Sequence, residues 1–219
     1  MRLAVFLAVL AASACSPEPR RAFPVGFLEP VSPLVAAEAR RLGLAVAAQA
    51  PAGAAVVSAA LPVKGGSGEV AQDWARLRFL AARAVVMGSS GVFLRLPRTA
   101  PGHDLLEYVE EWQAVDRVSR ELLELRPMLE GGAPAAAPFP VPAGVELRAW
   151  AFRGRRYVLL VNPSGAAQPL DERNLRPWRA LFAVRSDARQ ALPACGPDVC
   201  LPSEGVLWLE GRLLPETLP

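Results

Sequence analysis

The stretch "RAVVMGSSGVFLRLPRTAPGHDLLEYVEEW", residues 83–112, contains one complete unit of a repeating architecture. It runs from the end of a helix through a Gly-Ser turn into a short apolar strand, "GVFLRL", and then through a loop into another helix. Helices and strands that alternate in this way are typical of α/β folds with a parallel sheet. The stretch therefore predicts an α/β region around it.

The same step occurs earlier in the chain. The segment "SPLVAAEARRLG" has Ser32 as a candidate N-cap, Pro33 in the first turn and Gly43 at the end, which together predict a helix. An apolar run of strand length, "LAVAAQA", follows directly. A long amphipathic helix from Asp104 to Glu130 completes the pattern. We therefore assign residues 23–132 to a truncated α/β domain.

The pattern changes after a segment rich in Gly, Pro and Ala, residues 133–142, which we interpret as a linker. From there "VELRAWAFRGRRYVLLVNPSG" alternates with a period of two on both sides of Arg153-Gly154, which predicts a β-hairpin. The segments "RALFAVRS" and "GVLWLEGRLL" are further candidate strands. The predicted fold class is an α/β, partial-barrel-like N-terminal region followed by a small all-β sandwich domain over residues 143–219.

The first residues, "MRLAVFLAVLAASAC", have the order of an export signal. Arg2 precedes an apolar run that is too short to span a bilayer, and small residues lead to Cys15. This pattern resembles the lipobox of bacterial lipoproteins and predicts residues 1–14 as signal peptide, Cys15 as the site of lipid attachment and residues 15–22 as a tether. The alternative is ordinary secretion, in which Cys15 has no role. We expect a lipid-anchored protein of the bacterial cell envelope, or otherwise a periplasmic or secreted one.

Composition argues against several function classes. The net charge is only +3, and no basic run is interleaved with aromatic residues, so we expect no nucleic-acid partner. The sequence has neither a P-loop nor a dinucleotide-binding fingerprint, so we expect no cofactor. The single histidine is far in sequence from the cysteines, so we expect no metal site.

Two cysteines flank a turn sequence near the C-terminal end, in "CGPDVC". The Gly-Pro-Asp turn would bring Cys195 and Cys200 close enough for a disulfide, which persists in an oxidising compartment. A redox pair is the alternative, although the spacing is not that of C-x-x-C. A loop this short would pin one turn and leave the rest of the fold independent of it.

The order of these segments resembles the C-terminal end of barrel-type glycoside hydrolases. The resemblance rests on "DWARLRFLAARAVVMGSSGVFLRL", on the helix that ends "RELLELRPMLEGG", on the hairpin that ends "YVLLVNPS" and on "GVLWLEG". It implies the last βα units of a barrel followed by a β-sandwich. A complete barrel takes about 250 residues, far more than residues 23–132 provide.

The resemblance also suggests where to look for a site. Glycosidases use two carboxylates, and among the predicted strand ends only Glu29, in "FLEP", is acidic. Glu29 is therefore a weak catalytic candidate, and pairing with an arginine is the alternative. His103 is a candidate ligand-binding residue in a loop, or a surface histidine. Trp150 and Trp178 are candidate stacking faces for a glycan, or core residues.

Three functions are compatible with these patterns. The first is a lipid-anchored envelope protein related to glycoside hydrolases that lacks a complete catalytic barrel, is not catalytic and binds a glycan. The second is a structural lipoprotein that binds another envelope protein and no small molecule. The third is a glycoside hydrolase completed by oligomerisation, since an incomplete barrel leaves open sheet edges.

Overall fold

The fold is described here from a computed structural model that covers residues 22–58, 67–96, 104–183, 190–196 and 198–212, with the backbone alone for residues 67–73. The helices are α1 (Pro33–Leu42), α2 (Ser67–Val86), α3 (Val109–Gly131) and α4 (Glu172–Leu175). The strands of the first half are β1 (Val25–Leu28), β2 (Ala45–Ala47), β3 (Ala55–Ser58) and β4 (Val92–Arg95). The later strands are β5 (Ala133–Ala135), β6 (Glu146–Phe152), β7 (Arg155–Val161), β8 (Gln168–Leu170), β9 (Arg179–Leu181), β10 (Ala194–Cys195), β11 (Asp198–Leu201) and β12 (Val206–Arg212).

The first half forms a four-stranded parallel sheet in the order β2-β1-β4-β3. The local signals that predict α1 are confirmed. The Ser32 side chain accepts a hydrogen bond from the Val35 N–H, and Gly43 ends the helix with a φ of 79°, which a side chain would strain. This capping directs the chain from α1 straight into β2.

The second half forms two antiparallel sheets. The larger has five strands in the order β5-β6-β7-β12-β9, and the smaller has three in the order β10-β11-β8. The hairpin of β6 and β7 turns at Arg153 and Gly154, as predicted, and both residues have a positive φ. Over the described residues, the protein is thus a mixed α/β structure with one parallel and two antiparallel sheets. The partial barrel and the sandwich are finer assignments that stay predictions.

Helices α2 and α3 lie between the parallel sheet and the five-stranded sheet, and contact strands of both. The first core fills this layer and joins both halves of the chain. Most of its members come from β1, β4, α2, α3, β6, β7 and β12, and they include Phe27, Leu94, Leu77, Val85, Val118, Trp150, Leu159 and Trp208. Alternate residues of β6, β7 and β12 point the other way, into a second core that the three-stranded sheet also lines.

Two predicted boundaries differ from the structure. The segment 133–142, interpreted as a linker, begins with strand β5, which pairs with β6 from Ala133↔Ala151 to Ala135↔Ala149, and it also places Phe139 in the second core. Residues 105–107 form a short 3-10 helix capped by Asp104, and α3 starts only at Val109. Both differences arise from pairing and capping that composition does not reveal.

Candidate functional site

The main cleft among the described residues lies between the parallel-sheet half and the five-stranded sheet. Its volume is about 540 Å³, within the range of about 300–1,000 Å³ typical of small-molecule sites. It opens beside the amino-terminal ends of β1 and β4 and the carboxyl-terminal ends of α2 and α3. Its lining consists of Ala22, Phe23, Val85, Gly88, Ser89, Ser90, Leu129, Glu130, Gly131, Gly132, Ala133, Pro134, Arg148 and Trp150.

Arg148 is the cation among the described residues that line this cleft, and two contacts fix its position. Its Nη1 donates to the Val85 carbonyl oxygen at 2.9 Å, near the carboxyl end of α2. Its guanidinium carbon also lies 5.3 Å from the centre of the Trp150 ring. A Cβ at Gly88 would lie 3.2 Å from Nη1, so the absence of a side chain at Gly88 gives the guanidinium room.

Trp150 supports Arg148 from the core rather than offering a free face. It is 3% exposed, and its ring stacks on Trp208 with the centroids 6.0 Å apart. The expectation that Trp150 provides a stacking face for a glycan is therefore corrected. The cause is the alternation of β6, which turns Trp150 towards α2 and α3 and leaves only part of it at the wall of the cleft.

Glu130 is the acid among the described residues that line the cleft, and one hydrogen bond and one ion pair hold it. Its Oε1 accepts from the Phe23 N–H at 3.2 Å and lies 3.4 Å from Arg126 Nε. These contacts fasten the chain before β1 to the end of α3. Ser89 and Ser90 supply hydroxyl groups, of which the Ser90 Oγ lies 3.3 Å from the Ala52 carbonyl oxygen.

Glu29 lies at the opposite edge of the parallel sheet. It directly follows β1, where its backbone N–H donates to the Ala47 carbonyl oxygen at 3.0 Å. Its side chain is exposed, and within the described ranges its carboxylate has no hydrogen bond or ion pair, so the expected pairing with an arginine is not found there. Because the cleft lies at the amino-terminal ends of the strands, Glu29 and Arg148 do not form one site.

Trp178 is partly buried and packs on two sides. Its ring meets Phe139 edge to face at 5.8 Å, and a Cβ at Gly211 would lie 2.9 Å from it. It is not among the residues that line the main cleft. The other two candidates, His103 and the lipid-attachment residue Cys15, lie outside the described residues.

The two remaining cysteines are joined, as predicted. Cys195 and Cys200 form a disulfide with their Cα atoms 5.4 Å apart, across the turn between β10 and β11. Over the described residues, no group of three or more His, Cys, Asp or Glu side chains is placed to hold a metal ion. In the same part of the chain, no helix combines the length and the apolarity needed to cross a membrane.

Two smaller cavities lie elsewhere, and each contains an arginine that is paired. One, of about 300 Å³, is lined by Trp74, Phe182 and Arg78, which pairs with Glu121. The other, of about 400 Å³, lies along edge strand β3 beside Met87 and Arg83, which pairs with Glu146. Exposed Val56 and Met87 make the second cavity largely apolar.

The buried pair of Arg78 and Glu121 ties the layers together. Arg78 Nε donates to both carboxylate oxygens at 3.0 and 2.8 Å, and its Nη1 donates to the Val206 carbonyl oxygen at 3.0 Å. Burial raises the pKa of Glu121 above its usual value. This effect of burial outweighs the charge and the hydrogen bonds of Arg78, which lower the pKa. The pair thus joins α2, α3 and the start of β12, away from the main cleft.

Arg148 was not recognised as a site residue in the sequence, although a signal was present. Glu146, Arg148, Trp150 and Phe152 alternate along β6, which places Arg148 on the same face as two core aromatics. A charge at such a position needs a partner or a function. The partner, a carbonyl of α2, becomes visible only in the folded structure.

Comparison with known proteins shows that parts of this chain are similar to parts of several solved structures. No family model and no curated protein matches this chain. Eubacterium rectale Amy13B is 14% identical with a TM-score of 0.45, over 74% of this chain and 39% of its own. A GH30 endoxylanase from Clostridium papyrosolvens is 12% identical with a TM-score of 0.35, over 84% of this chain and 45% of its own. An alpha-L-fucosidase from Paenibacillus thiaminolyticus is 13% identical with a TM-score of 0.35, over 87% and 44%.

The chain spans less than half the length of each of these three proteins. The solved structures that it matches in part thus include glycoside hydrolases, the class that the sequence resembles. Likeness at these identities and TM-scores assigns neither a family nor an activity to the chain.

Proposed function

We propose that this chain is an exported, lipid-anchored protein of a bacterial cell envelope that is related to glycoside hydrolases, lacks a complete catalytic barrel and binds a glycan without cleaving it. The observation that carries the binding role is the cleft of about 540 Å³ with its fixed Arg148, Glu130 and two serine hydroxyls. Such a cleft combines a concave shape with a few placed polar groups, which is the usual composition of a small-molecule site.

The position of the cleft supports binding rather than hydrolysis. Barrel enzymes assemble catalytic groups at the carboxyl-terminal ends of their strands. The cleft lies at the amino-terminal ends of β1 and β4, whereas Glu29 follows the carboxyl end of β1. Glycoside hydrolysis requires two carboxylates flanking the bond, and Glu130, the cleft's acid, is already engaged by Phe23 and Arg126.

The first residues of the sequence support the proposed cellular placement. An apolar run that leads through small residues to Cys15 supports export and lipid attachment, and "SPEPRR" after Cys15 supports a tether to the membrane. A glycan-binding protein held at the envelope would meet polysaccharides at the cell surface. The membrane, through the N-terminal lipid, is then the first partner and a glycan the second.

The test is a glycan array probed with the full-length chain purified in detergent, followed by an assay for reducing ends on every glycan that binds. We expect binding without release of sugar. Ser89→Trp should block the cleft and abolish binding, while Ser203→Trp, at an exposed turn far along the chain, should leave binding unchanged. Glu29→Gln should bind like the wild type.

Three outcomes would contradict the proposal. If the array shows no bound glycan, the binding role is wrong. If sugar is released and Glu29→Gln abolishes the release, the protein is a hydrolase after all, completed by a second chain. If Ser89→Trp binds normally, the glycan occupies another surface.

A protein-interaction role without a small-molecule ligand is the second candidate. It is favoured by β3, the edge strand of the parallel sheet among the described residues, where Val56 is 44% exposed and Met87 is 69% exposed beside a largely apolar cavity. Exposed edge strands pair readily with other chains. A stable envelope protein that copurifies with the wild type, and is lost on Val56→Lys, would support this role.

A further inference from the structure

We propose that the cleft recognises an acidic sugar, one that bears a carboxylate, through the guanidinium of Arg148. This inference rests on the proposed glycan-binding function and adds the chemical class of the ligand. It depends on three features of Arg148: its fixed position, the lack of a carboxylate partner among the described residues, and the hydroxyl groups beside it.

The position of Arg148 is set before any ligand arrives. One contact with the Val85 carbonyl oxygen and one with the Trp150 ring hold the guanidinium at two points. A side chain that is already fixed loses little conformational freedom on binding, so its hydrogen bonds contribute more of their strength to affinity. Gly88 keeps the space beside Nη1 free of a side chain.

Arg148 differs from the arginines in the two smaller cavities in how its charge is paired. Arg78 and Arg83 pair there with Glu121 and Glu146. Arg148 has no carboxylate within 4.0 Å among the residues that the structure describes, and the Val85 carbonyl occupies one of its five N–H donors. The carboxyl end of a helix, such as the end of α2 at Val85, carries a partial charge of only about −0.5. The guanidinium together with this helix end therefore retains net positive charge.

The remaining groups of the cleft suit the body of a sugar. Ser89 and Ser90 offer hydroxyls that donate to or accept from sugar hydroxyls. Glu130 has its charge offset by Arg126 at 3.4 Å, so it does not cancel the attraction of Arg148 for an anion. A planar carboxylate fits the fork of a guanidinium with two parallel hydrogen bonds, which a neutral sugar cannot provide.

Two probes with the same sugar backbone, one with ionised carboxylates and one with neutral methyl esters, test this inference. Tri-galacturonic acid and its trimethyl ester are titrated calorimetrically against the full-length chain at pH 7 and low salt. We expect the acid to bind at least tenfold more tightly than the ester. Arg148→Gln should remove this preference, so that acid and ester bind within about twofold of each other, because the carboxylate loses its charge-assisted hydrogen bonds.

Arg173→Gln is the matched control, because Arg173 is exposed and pairs with Asp171 outside the cleft. It should retain the full preference for the acid. Arg148→Met keeps an apolar stem over Trp150 and gives the same readout where Arg148→Gln does not fold, as judged from thermal melting.

The outcomes separate this inference from the function on which it rests. Equal affinity for acid and ester, a preference that survives in both Arg148 variants, or no binding of the acid overturns the assignment of an acidic sugar. In each of those cases glycan binding on the array would leave the broader function standing. If the array is also empty, the proposed function fails as well.

Discussion

The side-chain amide of Asn162 joins the two antiparallel sheets, because its Nδ2 donates to the Leu201 carbonyl oxygen at 2.9 Å. Asn162 follows β7 in the five-stranded sheet, and Leu201 ends β11 in the three-stranded sheet. The same nitrogen lies 2.9 Å from the Ala166 and 2.8 Å from the Pro202 carbonyl oxygens, and Asn162 is fully buried. The side-chain amide of Asn162 thus provides the hydrogen-bond donor for a group of carbonyl oxygens around a buried position.

We therefore expect Asn162→Asp to be strongly destabilising although it is isosteric. A carboxylate cannot donate, so it would face three carbonyl oxygens without a hydrogen bond. The loss should be about 3 kcal/mol of unfolding free energy, the range for leaving buried polar groups unpaired. Urea unfolding measures it.

Asn174→Asp, in α4, is the matched control because, in the part of the chain that the structure describes, no hydrogen bond of its side chain joins the sheets. It should change the unfolding free energy by less than about 0.5 kcal/mol. A similar loss of stability in both variants would mean that the hydrogen bonds of the Asn162 side chain do not hold the two sheets together.

The buried pair of Arg78 and Glu121 predicts a pH-dependent effect. Because burial raises the pKa of Glu121 in the folded state, protonation of Glu121 favours folding, and its contribution to stability is lost as pH rises through the folded pKa. Glu121→Gln cannot ionise. The model-peptide pKa of Glu is about 4.3. The variant should therefore gain stability relative to the wild type as pH rises from about 4 towards neutrality.

Urea unfolding of both proteins at several pH values between about 4 and 8 tests this sign. Glu110→Gln, on the exposed side of α3 and away from Glu121, should follow the wild-type profile closely. Stability curves of Glu121→Gln and wild type that run parallel would show that Arg78 fully offsets the cost of burying the carboxylate.

The disulfide should matter little for the fold as a whole. It closes a loop with a sequence separation of 5, between β10 and β11. The loop-entropy relation gives about 2 kcal/mol for a loop of this size. The double variant Cys195→Ala and Cys200→Ala should remain folded and lose about that much stability in urea.

The wild type measured with dithiothreitol is the companion measurement, and it should resemble the double variant. If either one unfolds the second core, the bond is a main support of the three-stranded sheet and the loop argument is wrong.

Lipid attachment at Cys15 is tested in a bacterial host. An alkyne-labelled palmitate should label the wild type and leave Cys15→Ala unlabelled, because diacylation needs the thiol. The wild type should sediment with membranes, and the variant should not be processed by lipoprotein cleavage. Equal labelling of both proteins, or of neither, would favour the alternative of ordinary secretion.

Local signals predicted the elements whose causes are local. Ser32 and Gly43 mark α1 because capping acts within four residues, and Gly154 marks the hairpin because the turn needs a positive φ. Strand β5 was missed because "APA" has no strand character of its own. It forms a strand because β6 offers a free edge, and that edge comes from residues far along the chain.

The candidate site shows the same limit. Glu29 was identified from its place at a strand end, and it does lie there, but no sequence rule placed the cleft at the other edge of the sheet. Arg148 and Glu130 meet in one cleft because β6 packs beside the end of α3. Trp150 was a candidate stacking face because the sequence shows an aromatic ring but not the layer of helices that covers it.

The layer formed by α2 and α3 also determines whether the two halves of the chain can be separated. Trp150, Leu159 and Trp208 reach the same core as Leu77 and Val85, so each half of the chain supplies one wall of a shared interior. A gene fragment that ends after residue 132 would encode helices with their apolar faces in water. An antiparallel half without those two helices would likewise expose Trp150, Leu159 and Trp208 to water.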